Sequence, residues 1–291
     1  MQKPLPKTKI NPLSSLMRQP KLKVKLPSRG TYWTEGAIEL SEDNEYPVYS
    51  MTAKDEIMLK NPAALANGQA LVTIIQSCIP AIKDAWAIPS LDLDALLVAV
   101  RIATYGNILK SPVTVNNILF SVDVDLTVIL DQLYNDAHWE DELEINEDLK
   151  IYIKPLTYKM ISKVGLEALE TQKIMEVVNN ETITEDQKLE LFKRSFNKLT
   201  QFTLSTVVES IYQVDSGEES VEDEFFIKEF MEQCDSDLFN LVKNRIDKLS
   251  AANGVKPVKV KATEEIKKIS KEEEIEVLVE FSPSNFFLQG Q

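Results

Sequence analysis

Residues 91–103 form the longest apolar stretch of the chain, interrupted only by Asp92, Asp94 and Arg101. The run is too short to cross a bilayer, so it belongs inside a folded protein. Leu93, Leu96, Leu97 and Val100 fall at i, i+3, i+4 and i+7, which predicts a helix that Pro89-Ser90 opens and Gly106 ends. Asp92 and Asp94 form a D-x-D pair that could face a metal. They follow Ser90 in a first helical turn, where anionic residues are favoured without any ligand, and further ligands at metal spacing are missing. Arg101, among Ala99, Val100, Ile102 and Ala103, either pairs with a carboxylate inside the fold or reaches a partner. The internal pair is expected, because a lone buried charge is costly.

A hydrophobic fraction of 44% over 291 residues can build a core, and no simple repeat is present, which excludes collagen, coiled coil and wholesale disorder. Cys78 and Cys234 stand far apart, so neither a disulfide framework nor a C-x-x-C metal site can be written, as suits a reducing cytoplasm. No signal peptide is read at the start. His138 is the one histidine and lies in an acidic stretch, which leaves a Ser/His/Asp triad or a two-histidine zinc site without material. An enzyme would have to use Asp92, Asp94, Asp123 or Asp125. Each has a structural explanation and no nucleophile or base beside it, so no enzymatic activity is expected.

Charge is unevenly distributed. Residues 1–30 hold eight basic side chains, no acidic one and five prolines, leaving 24 basic against 46 acidic side chains in the rest. Prolines block helix, so an extended basic arm is expected, docked on an acidic surface of its own domain or a neighbour, or left solvated. Nucleic acid is not an expected partner, since the arm lacks interleaved aromatics and the acidic body repels phosphate. Deletion of residues 2–25 is expected to leave the body folded.

The body reads as mainly helical. Residues 47–51 suggest a short strand, then a helix capped by Thr52 with Asp55 and Glu56 in its first turn. An apolar helix over residues 70–78 stops at Pro80. Val113, Val115, Phe120, Val122, Val124 and Leu126 alternate about Asn116-Asn117, which predicts a hairpin over residues 111–126 with Asp123 and Asp125 on its polar face. A short helix over residues 128–134, one or two strands over residues 144–154 and a helix from residue 156 to about 178 follow. Thr184 and Gln187 have capping-box spacing, and Leu189, Phe192, Phe196, Leu199, Val207, Ile211 and Val214 predict one core-organising helix face about 40 Å long. Residues 215–224 read as a solvated acidic loop rather than a calcium loop, and two helices over residues 221–233 and 236–249 close at Asn253-Gly254. Val258, Val260 and Ala262, then Ile275, Val277, Val279 and Phe281, predict a second hairpin, ahead of Phe286 and Phe287.

Three motifs, Leu26-Pro27-Ser28-Arg29-Gly30 with Tyr32, Tyr49-Ser50-Met51-Thr52-Ala53-Lys54-Asp55-Glu56, and Leu91-Asp92-Leu93-Asp94-Ala95-Leu96-Leu97 with Arg101-Ile102-Ala103-Thr104-Tyr105-Gly106, closely resemble the baseplate hub and hub-assembly proteins of T-even-like contractile-tailed phages. Val279-Glu280-Phe281 and Phe286-Phe287 resemble the family's ending, whereas residues 130–255 carry no recognised motif. Many members place C-x-x-C pairs that together resemble a zinc ribbon. The corresponding positions here, residues 112–117 and 262–268, contain no cysteine, so no metal or cofactor is expected and the two hairpins would pack through Val113, Val115, Val277 and Val279.

The residue pattern, with the resemblance beside it, implies an α+β, mainly helical protein: a basic extended arm over residues 1–30, a helical body over 31–254 with a hairpin near 111–126, and a C-terminal hairpin and aromatic tail over 255–291. It implies a structural component of the hub region acting by protein contact in the virion tail, or a transient hub-assembly factor or tail chaperone in the host cytoplasm. Other tail and baseplate proteins are the expected partners, with no membrane and an oligomer only within an assembly. Lys21, Lys23, Lys25, Arg29, Phe286 and Phe287 are the candidate partner contacts, and Asp55, Glu56, Asp92 and Asp94 the candidate ion-pair partners of Arg101.

Overall fold

A computed structural model describes residues 13, 17–178, 184–279, 281 and 287. In chain order the elements are β1 (Pro20–Lys25), β2 (Glu45–Tyr49), α1 (Ala53–Leu59), α2 (Pro62–Ala66), α3 (Gln69–Cys78), α4 (Ser90–Tyr105), β3 (Ile108–Val115), β4 (Ile118–Asp125), α5 (Leu126–Asn135), β5 (Glu142–Asn146) and β6 (Leu149–Ile153). Then come α6 (Tyr158–Val178), α7 (Glu185–Glu209), β7 (Ile211–Ser216), β8 (Glu219–Val221), α8 (Glu224–Gln233), α9 (Ser236–Ala252), β9 (Val258–Lys261), α10 (Glu264–Ser270) and β10 (Glu274–Val277). The class is α+β and mainly helical, with small antiparallel sheets. β1–β2, β3–β4 and β9–β10 are two-stranded, and β5-β6-β7-β8 forms a four-stranded sheet. Among the described residues no helix is long and apolar enough to cross a membrane.

Helix α4 is the axis of the larger core. Leu91, Asp92, Ala95 to Arg101 and Ala103 are all buried, so the helix is covered on nearly every side, by β1, β2, α3, α5 and α6. It ends where Gly106 takes φ +90°, a conformation that side chains with a Cβ rarely adopt. The β3–β4 turn places Asn116 and Asn117 at φ +49° and +65°, as a two-residue hairpin of this hand requires. Val122 and Val124 share the larger core with Val258, Ile275, Val277 and Val279, with Val113 and Val115 packed against it, so both hairpins close on the same apolar interior. Helix α10 bridges the strands of the second hairpin.

The basic N-terminal segment is part of this core from Arg18 onward. β1 pairs antiparallel with β2, and Val24 and Leu26 are fully buried, so this stretch cannot be separated from the body as an arm. Proline did favour an extended chain. The alternation that puts Val24 inside and Lys23 and Lys25 outside made that chain a strand.

A second core joins the four-stranded sheet to α8, α9 and the end of α7 through Ile151, Ile153, Val207, Ile211, Val214, Ile227 and Val242. Here the predicted 40 Å core face of α7 is corrected twice. The helix stops at Glu209, and Ile211 and Val214 lie on β7, opposite Ile153 and Ile151. Leu189, Phe192, Phe196 and Leu199 are 49–63% exposed, because α7 runs past the core that holds Val207 and Val208. Residues 215–221 make the β7–β8 hairpin, with Gly217 at φ +62°, in place of an acidic loop.

Candidate functional site

Two buried carboxylates organise the region where the sequence motifs meet. Asp92, in the first turn of α4, is fully buried and accepts hydrogen bonds from Ser28 N (2.7 Å), Ser28 Oγ (2.5 Å) and Trp33 Nε1 (2.7 Å). Ser28 stands in the turn of residues 26–30, where Arg29 and Gly30 take positive φ and Ser28 Oγ accepts from Gly30 N at 3.1 Å. The carboxylate thus holds a strained turn from 64 residues away. Burial pushes its carboxyl up to about 6, against the opposing effect of the Ser28 and Trp33 donors.

Asp55 closes a capping box: Thr52 N donates to its Oδ2 at 2.8 Å, and Thr52 Oγ1 accepts from Asp55 N at 3.3 Å. The same oxygen accepts from Ser77 Oγ at 3.0 Å and faces Arg18 Nη1 at 4.0 Å. Arg18 also donates to the carbonyls of Ser50 and Ser77 and lies 5.6 Å from the centre of the Tyr49 ring. Its guanidinium therefore fastens the strand entering β1 to the ends of β2 and α3. Met51 N donates to Thr104 Oγ1 at 3.0 Å, joining the second motif to the third. Beside this network Cys78 is buried, and burial first, then Asp55, pushes its thiol up to about 12, leaving no thiolate for nucleophilic chemistry at neutral pH.

None of the ion pairs of the described residues joins Arg101 to its expected partners Asp55, Glu56, Asp92 and Asp94. Arg101 is buried as foreseen, with its guanidinium 5.1 Å from the centre of the Tyr105 ring. Arg101 sits about two and a half turns along α4 from Asp92, whose acceptor positions serve the segment preceding β2, and Asp55 serves Arg18. Glu56 is half-buried in the first turn of α1, and Asp94 lines a cavity. Asp125 is the N-cap of α5, bonded by Thr127 and Asn107 and held below the usual carboxylate range mainly by Thr127. Asp123 stands opposite Lys110 on the exposed face of β4.

Of the partner-contact candidates, Lys21 and Arg29 are exposed. Lys23 pairs with Glu45 at 2.8 Å on the neighbouring strand, and Lys25 lies over the Tyr134 ring. Phe287 is 1% exposed in the larger core, so it packs on its own fold. Phe286 lies outside the described residues. Arg18, Ser28 and Trp33 are the anchoring residues that sequence reasoning missed. The one available signal was a serine in a turn that needs two positive φ angles.

The segments around residues 112–117 and 262–268, which the resemblance singled out, do meet. Asn116 Nδ2 donates to Ile269 O at 3.4 Å, and the fully buried Ile266 and the buried Ala262 fill the interior there. Among the described residues no group of three or more His, Cys, Asp or Glu is placed to hold a metal. Protein purified without chelator is expected to contain no stoichiometric zinc by elemental analysis, and a bound equivalent that resists dialysis would overturn this.

A family model described as T4 bacteriophage base plate protein matches residues 17–281. No curated protein and no solved structure matches the chain.

Proposed function

The chain belongs to the T4 bacteriophage base plate protein family, and on that premise we propose that it is a structural or assembly component of the hub region of a contractile-tailed phage baseplate, working through protein contacts. The exposed row on α7 carries this reading. Leu189, Phe192, Phe196 and Leu199 recur at spacings of three, four and three, so they form one stripe, about half of each side chain open to water. A helix kept at that cost has a use for the stripe, and another tail or baseplate protein is the occupant consistent with the family. The buried acids support a non-enzymatic role, since Asp55 and Asp92 are occupied by donors of their own chain.

Replacing Phe192 and Phe196 together by Ser is expected to cost less than about 1 kcal/mol of stability, because both are already half exposed. Incorporation into tails is expected to fall roughly tenfold or more, as for loss of an interface centre. Mass spectrometry of purified virions carrying each variant measures this. Detection in infected cells but never in virions would instead identify a transient assembly factor, and unaltered incorporation of the double variant would remove α7 from the contact.

A further inference from the structure

Asp94 is a motif carboxylate that the anchoring network leaves unused. It lines a cavity of about 340 Å³ that opens between α4, the start of α6 and the end of α9, and it is the one charged residue of that lining among the described residues. Trp139, Tyr158 and Phe281 supply aromatic walls, and Leu93 and Leu97, one and three residues either side of Asp94 on α4, supply aliphatic ones. Among the described residues Asp94 makes no hydrogen bond or ion pair, in contrast to Asp92 two residues earlier with its three donors. Its partial accessibility is that of a group facing a concavity. The surrounding atoms strip water from it strongly enough that burial alone pushes its carboxyl up to about 6.

An anion held in an apolar, aromatic-walled space without a counter-charge is a complementary half of an ion pair. Metal ions do not suit it, since Asp94 is the single carboxylate of the lining and the other oxygen-bearing side chains there, Ser90, Ser250, Asn253 and Tyr158, are neutral. A long side chain with an apolar stem and a cationic end does suit it, because the stem covers the aliphatic and aromatic walls while the charge meets the carboxylate. We propose that this cavity receives the cationic end of a lysine or arginine side chain carried by a partner protein, with the charge on Asp94 and the stem against Leu93, Leu97, Trp139 and Phe281. That a protein carries the cation rests on the baseplate reading, whereas the cation site itself does not.

The test is a titration of the full chain at pH 7.5 with N-acetyl-lysine-N-methylamide, following the indole N–H resonance of Trp139, assigned with Trp139→Phe. Saturable binding is expected, with a dissociation constant in the millimolar range, as suits a ligand of this size. The isosteric uncharged N-acetyl-2-aminoheptanoic acid N-methylamide, with a methyl group in place of the ammonium, and the lysine probe on Asp94→Asn, are both expected to bind roughly tenfold more weakly or worse. Asp94→Asn is expected to fold, having no donor to lose, and Asp94→Leu serves as a second variant of the same kind. Equal binding of the charged and uncharged probes, no saturable shift, or an undiminished Asp94→Asn would overturn the proposal. Putrescine binding more tightly than the capped lysine would point to a free amine and overturn the protein source. None of these outcomes bears on whether the chain is found in virions, so failure here and failure of the baseplate reading are separable.

Discussion

Asp92→Ala is expected to lower folding stability by about 3 kcal/mol. The substitution leaves Ser28 N–H, Ser28 Oγ–H and Trp33 Nε1–H facing a buried void, and each unmet donor costs about 1–3 kcal/mol. Part of that loss is offset, because the variant no longer desolvates a charge. A carboxyl raised to about 6 from its ordinary value represents about 3 kcal/mol at neutral pH. The pH dependence has a definite sign. Between roughly pH 4 and 6 the folded wild type holds a proton on Asp92 that the unfolded chain has released, so wild-type stability rises as pH falls through that window. The gap between wild type and Asp92→Ala, measured by urea denaturation, is therefore expected to widen from pH 7 to pH 5. A gap that narrows on acidification would mean that Asp92 is stabilised as the anion by its three donors, with a depressed pKa.

Removal of residues 1–25 is expected to abolish cooperative folding. The truncation deletes β1, the only strand paired with β2 among the described residues, and uncovers Tyr46 and Val48, which are 2% and 0% exposed. It takes away Val24, worth about 2 kcal/mol of buried apolar surface. It also takes away Arg18, whose hydrogen bonds to Ser50 and Ser77 and approach to Asp55 tie α1, β2 and α3 together. The combined loss exceeds about 5 kcal/mol, the scale of an ordinary domain's whole stability. Circular dichroism melting and amide dispersion report the result, and a truncated chain with a normal melting transition would restore the view of this segment as a separable arm.

Elements set by residues close together in the chain were legible in the sequence, and those set by distant segments were not. Thr52 and Thr184 cap helices α1 and α7 with partners three residues away, and the Asn116-Asn117 turn is set by its own backbone angles, so these elements could be read locally. The alternation over β3–β4 and over β9 and β10 likewise reported two hairpins, though not the helix α10 between the strands of the second. For α7 periodicity correctly announced a helix and a stripe. Its wrong inference was that a stripe implies a core, because spacing says which residues share a face and nothing about what lies opposite.

The candidate site divides along the same line. Local chemistry alone determined the mainly helical class, the caps, the turns and the burial of the helix through Arg101, since each depends on residues within one or two helical turns or one hairpin. Which acid serves which donor was decided only by tertiary structure. Asp92 and Asp94 are two positions apart in one motif, yet the roughly 200° between them on a helix turns one toward Ser28 and Trp33, 64 and 59 residues away, and the other into a cavity. A carboxylate's role is fixed by the donors and the water around it, and those are brought by segments far along the chain when the core closes.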